Sequence, residues 1–217
     1  MSTPGSTMAD VADRPDWLVP FLLILVLSVG LNFVAAPHLD IETGLREQLT
    51  ERGLSDQQID DAVDRVAVFQ KFGAPIAAVT VTILLIALAA LYMLATRVMG
   101  GEGTFKQFFA VTNYAWLPQL LKGILVTFLL VRAGSVEPEQ MGALLKSNLG
   151  FLADPKEQGE LFAVLSGIDV FNFAALALMI FGYGRASKLG TQKTAVIVIA
   201  TYVVWIGARV GMAALRG

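Results

Sequence analysis

Three charged side chains, Lys122, Asp169 and Arg209, stand inside stretches that are otherwise apolar. An ionisable group within a membrane costs up to a few kcal/mol unless it is paired, so such groups face the bundle interior and seek partners. Lys122 lies about 21 Å along the stretch that opens at Phe108, and Arg209 about 22 Å along the one that opens at Thr194, at 1.5 Å per residue. Asp169 is about 6 Å into a stretch opening at Leu165 and running the other way, hence about 24 Å from the same boundary of a ~30 Å hydrocarbon core. The shared depth predicts a polar node in which Asp169 accepts from Lys122, Arg209 or both. Separate snorkelling of the two cations to the headgroups is the alternative.

Little else in the chain suggests chemistry. With no cysteine there is no disulfide, thiolate nucleophile, iron-sulfur cluster or Cys-based zinc site. His38 is the single histidine. One imidazole falls short of the three or four ligands zinc requires, so it reads as an interfacial loop residue. HExxH, GxSxG and Walker A patterns are absent from the sequence. The expectation is a protein without catalytic residues, metal or cofactor. Gly100, Gly101 and Gly103 lack the following Lys-Ser/Thr of a phosphate cradle and read as a hinge, while Asp56, Asp60 and Asp64 read as a solvated helix face. Asn32, Asn113 and Asn172 suit interhelical hydrogen bonds, about 0.6 kcal/mol each. Pro118 lacks a backbone donor and predicts a bend between Asn113 and Pro118. Gly207 and Gly211 form a GxxxG, a route to close helix contact or a homo-oligomer.

The elements that must position these residues follow from hydropathy. The chain has 217 residues, 55% hydrophobic and only 16% charged, with mean hydropathy +0.65, which excludes a disordered protein. A net charge of -2 lacks the basic footprint of a nucleic-acid binder. About 20 apolar residues cross a bilayer, and five stretches qualify: residues 17–36, 76–96, 108–131, 165–184 and 194–215. The predicted fold is therefore all-α, a multi-pass bundle of five transmembrane helices (17–215) behind a short cytoplasmic tail (1–16). Residues before Trp17 carry Asp10, Asp13 and Asp16 against Arg14, which is not the n-region of a cleaved signal, so the first span is retained.

Orientation follows from Lys and Arg in short loops. Arg97, Lys106, Arg185, Lys188 and Lys193 crowd two tight loops, whereas the two long loops dilute their cations among many carboxylates. The N-terminus is expected in the cytoplasm and the C-terminus outside. Both long outer loops are patterned. Ser55 with Gln58 forms a capping box ahead of an apolar stripe, Ile59, Val63, Val66 and Phe69, and a helical segment ends near Arg52 before Gly53. Met141, Leu144, Leu145 and Leu149 space out another amphipathic segment.

Between the second and third spans the chain reads GGEGTFKQFFAVTNYAWLPQLLKGIL. This stretch resembles the Yip family, the Ypt-interacting, YIPF-like membrane proteins. The resemblance lies in the glycine turn Gly100, Gly101 and Gly103, in Thr104 and Phe105 of TFKQ, and in Tyr114 four residues before Pro118. It continues in Asp169 and Phe171 at the opening of the fourth span and in the GYGRASKLGTQKT turn. It implies a five-span protein without known catalysis. Eukaryotic relatives associate with Rab-type GTPases through a long N-terminal region. The short tail here points instead to a bacterial-type member in the cytoplasmic membrane. The expected function is a non-enzymatic scaffold or adaptor whose partners are membrane lipids and another membrane protein or transport system. The alternative is a component that permeates ions, small molecules or lipids.

Overall fold

A computed structural model describes residues 3–155 and 157–215, together with the side chains of all of these but 67–71, 139 and 143. Among the described residues the regular structure is helical, apart from two isolated β-bridges. Helix α1 (Pro4–Asp13) is followed by α2 (Leu18–Ala35), the pair α3 (Ile41–Glu51) and α4 (Asp56–Lys71), and the long α5 (Gly73–Val98) and α6 (Phe105–Ala133). Then come the single turn α7 (Met141–Leu144), the short α8 (Gly159–Leu165), α9 (Val170–Ala186) and α10 (Gly190–Ala214). Four of these, α2, α5, α6 and α10, are long and apolar enough to cross a membrane. Helix α9 has 17 residues, about 26 Å at 1.5 Å per residue, just short of a ~30 Å core. These five are the spans.

Their centre is α6, which packs against α9, α2 and α5, while α10 closes on α9 and α5. Tyr183 of α9 is fully buried, with Phe108 and Tyr92 rings 5.2 Å and 4.9 Å from its own and its hydroxyl 2.8 Å from Thr112 Oγ1. A buried phenol needs such a partner, because an unpaired hydroxyl in an apolar interior costs a few kcal/mol. Side chains such as Val26, Ile83, Val203 and Val204 point away from this core and are exposed. In a membrane bundle those faces meet lipid.

The structure moves several expected boundaries. The stretch 165–184 is not one helix: α8 ends at Leu165, a turn follows, and α9 starts at Val170 with Asp169 as its N-cap. Apolar composition is blind to that break, because the turn residues Ser166, Gly167 and Ile168 are small or hydrophobic. Three other spans open ahead of their apolar runs, α5 at Gly73 rather than 76, α6 at Phe105 rather than 108, and α10 at Gly190 rather than 194, whereas α2 stays within its run. Of these three, α6 alone opens on a side-chain cap, from Thr104. The residues expected as a plain tail form α1, which buries Met8, Val11 and Ala12 against α9 and α6. The third loop is only partly helical. Leu145 is extended, and Leu149 opens a 3-10 turn.

Candidate functional site

Asp169 is fully buried and its carboxylate is saturated. Oδ1 accepts from the backbone N–H of Phe171 at 2.8 Å and of Asn172 at 3.3 Å, the pattern of an N-cap. Oδ2 accepts from Lys122 Nζ at 2.8 Å and from Ser147 Oγ at 2.8 Å. A carboxylate that caps one helix, pairs a cation on a second and binds a loop hydroxyl ties three elements to one point, and charge-assisted bonds are the strong ones. Lys122 keeps 25% of its side chain exposed.

Arg209 does not reach Asp169. The turn between α8 and α9 stands between them, and the guanidinium donates to Ser166 Oγ at 2.9 Å and lies 4.9 Å over the Trp205 ring. Equal depth brought the two groups to one layer, but depth says nothing of azimuth around the bundle. The layer holds residues that charge-based reading overlooks. Asn172 Nδ2 donates to the Gly167 carbonyl and to the Tyr202 hydroxyl, at 3.1 Å and 2.9 Å, and its Oδ1 accepts from Gln119 Nε2 at 2.8 Å. Tyr202 in turn donates to the Gly167 carbonyl. Gln119 and Lys122 stand at i and i+3 on α6, as do Asp169 and Asn172 on α9, and that paired spacing was the available signal.

At the opposite end the glycine turn docks on the turn between α9 and α10. Gly103 has φ 101° and sits so close to Ala186 that a Cβ would lie 2.5 Å from its carbonyl oxygen. Glu102 N–H donates to the Ser187 carbonyl, and Lys188 Nζ donates to Glu102 at 2.6 Å. The Lys188 hydrogen bond and charge hold the Glu102 carboxyl below its ordinary range. Thr104 caps α6 through a capping box with Gln107, whose side chain also donates to the Ala12 carbonyl of α1 at 3.0 Å. Phe105 stacks on Phe109, 5.7 Å between centroids. The turn read as a hinge is thus a fitted joint of three segments.

A family model, the Yip1 domain, matches residues 1–211. The chain belongs to the Yip1 family. Searches of curated proteins and of solved structures gave no significant match. The Yip1 match includes α1, in accord with a segment built into the fold.

The other residues singled out from the Yip1 sequence are placed as follows. Tyr114 and Pro118 both lie on α6, which continues through the proline as one helix. Asn113 donates to the Phe109 carbonyl at 2.7 Å, and its buried Oδ1 has no partner, so the interhelical bond expected of it is not made. Asn32 Oδ1 lies 3.1 Å from where a Gly73 Cβ would stand. Gly207 and Gly211 face open space and take no part in packing within the chain. His38 Nδ1 lies 2.9 Å from the Gly134 carbonyl, which makes it the donor in a loop contact. In the first long loop Ile59 is buried and Val63 and Val66 are half-buried; the Phe69 side chain lies outside the described residues. Gln58 Oε1 accepts from Ser55 N–H at 3.0 Å, and Arg46 bridges α3 to α4 through Asp60 at 2.8 Å.

Proposed function

We propose that this Yip1 protein is a non-enzymatic adaptor of a bacterial cytoplasmic membrane, with its N-terminus inside and C-terminus outside, that holds a second membrane protein through its long loops. The observation that carries the reading is the α3–α4 pair. It is a folded, acidic, exposed element set outside the five-span bundle, with Arg46 paired to Glu42 within α3 and to Asp60 across to α4, and with α4 also meeting α5. Such a structured appendage is more than a connector needs, since 2–8 residues suffice between antiparallel helices. The same surface favours a partner with a basic extracellular or juxtamembrane patch, because like charge repels and opposite charge steers association.

The test is affinity capture of the full chain from its native membrane. The wild type is compared with a variant carrying Asp61→Lys and Asp64→Lys, exposed positions on α4. Loss of a specific membrane protein with unchanged thermal stability supports the adaptor. Protein-dependent ion or lipid flux in proteoliposomes, with capture unaffected by the reversal, overturns it in favour of a permeation component.

A further inference from the structure

A groove of about 520 Å³ runs along the lipid side of the bundle between α6 and α9. One wall is Leu117 and Leu121, the other Phe171, Ala174 and Leu178. Its floor is α1, through Thr7 and Met8, because that helix fills the seam from the Gly103 end and goes no further. The open end lies at the level of Leu121 and Val170, the neighbours of Lys122 and Asp169.

We propose that this groove seats one acyl chain of an anionic phospholipid, with the phosphate at Lys122 and the tail tip against α1. An apolar concavity at membrane depth does not stay empty, because its lining would forfeit dispersion contacts, and water needs two to four polar partners that these walls lack. The slot spans α9 from Val170 to Leu178, about 12 Å of helix rise, and is open along its lipid side, so a hydrocarbon chain can enter the seam directly from the bilayer. Charge selects the headgroup. An ammonium has three donors; one is directed to Asp169, and the exposed quarter of the Lys122 side chain leaves the others for a phosphate at the mouth. This assignment is independent of the adaptor reading.

The test uses the full chain in phosphatidylcholine nanodiscs containing a minority of either phosphatidylglycerol or phosphatidylcholine with a diazirine on the acyl chain. Cross-links are mapped by mass spectrometry. The expected result is label concentrated on residues 117–121 and 170–178, at least threefold more from phosphatidylglycerol. Ala174 is exposed, so Ala174→Phe fills the slot and lowers this labelling at least fivefold while label on α10 persists. Ala174→Leu, a smaller filler, replaces it if the phenylalanine variant misfolds. The double variant Lys122→Met with Asp169→Asn removes the cation without orphaning the carboxylate, and is expected to abolish the preference for phosphatidylglycerol while tail labelling continues. Label spread evenly over α2, α5 and α10, undiminished label in the filled variants, or a disulfide between two copies carrying Ala174→Cys would each overturn the proposal. Equal labelling by the two probes would overturn the role of Lys122.

Discussion

At the scale of single residues, Asp169 has two roles that substitution can separate. Asparagine retains a side-chain oxygen for the N-cap, so Asp169→Asn isolates the loss of charge. Lys122→Met leaves a buried carboxylate unpaired, and breaking a buried pair by removing one partner costs about 3–5 kcal/mol. We expect Lys122→Met to be the more destabilising single change, and the double variant to recover at least ~1 kcal/mol relative to additivity, measured by reversible unfolding in mixed micelles. Strict additivity would mean the two groups are not coupled. Glycine supplies a second residue-scale contrast. Gly100 and Gly103 both have positive φ, but a Cβ at Gly100 meets open space whereas one at Gly103 meets the Ala186 carbonyl. Gly100→Ala is expected to cost about 1–2 kcal/mol from the left-handed backbone alone, and Gly103→Ala clearly more, with the order read from thermal unfolding.

At the scale of elements, α1 is the part that sequence reading treats as a tail. Its Met8 packs where a Cβ on Gly182 would stand, 2.9 Å from Met8 Cε and 2.4 Å from Val111, so Gly182 is what admits α1 beside α9. Asp13 anchors the other end, taking two bonds from Arg185 at 2.8 Å and 2.9 Å. The Arg185 hydrogen bond holds the Asp13 carboxyl below its ordinary value against the opposing effect of desolvation, with the Arg185 charge adding to the lowering. A carboxylate with a depressed folded pKa contributes its stabilisation in full above the unfolded value of about 4, and loses it as pH falls through the folded value. A spin label on Ser6→Cys should therefore show the same mobility from pH 7 to about 5 and rising mobility below about 4. In Asp13→Asn the label should be more mobile throughout and lose that transition. Equal profiles would show that the contact does not hold α1.

At the scale of the whole molecule, the spans alternate, so the Gly103 joint and the α3–α4 pair lie at opposite ends of the bundle. The chain has no cysteine of its own, which makes single-cysteine labelling clean. Lys106, Lys193, Glu51 and Gln140 are exposed and avoid the fitted Gly103 position. With the cytoplasmic N-terminus proposed above, an impermeant maleimide in intact cells should label Glu51→Cys and Gln140→Cys, but leave Lys106→Cys and Lys193→Cys unlabelled until the membrane is opened. The reverse pattern would invert the orientation and put the α3–α4 pair inside.

What could be read from the chain alone is what local composition controls. Apolar runs near 20 residues are longer than any buried soluble element needs, so they determined the helical class and the five spans. Thr104 with Gln107 marked the start of α6, because a cap depends on residues three apart. The layer of Lys122 and Asp169 was legible because rise per residue converts sequence distance to depth. Tertiary structure decided what depends on azimuth and on contact between distant segments. Arg209 at the right depth faces Ser166 and Trp205 instead of Asp169. The apolar run 165–184 breaks at Ser166, where Tyr202 of α10 holds the Gly167 carbonyl of the turn together with Asn172 from the start of α9. Residues 4–13 carry a local helix signal, the Thr3–Ser6 capping box with Pro4 in the first turn, but where α1 docks is decided by Gly182, Gln107 and Arg185 in distant segments.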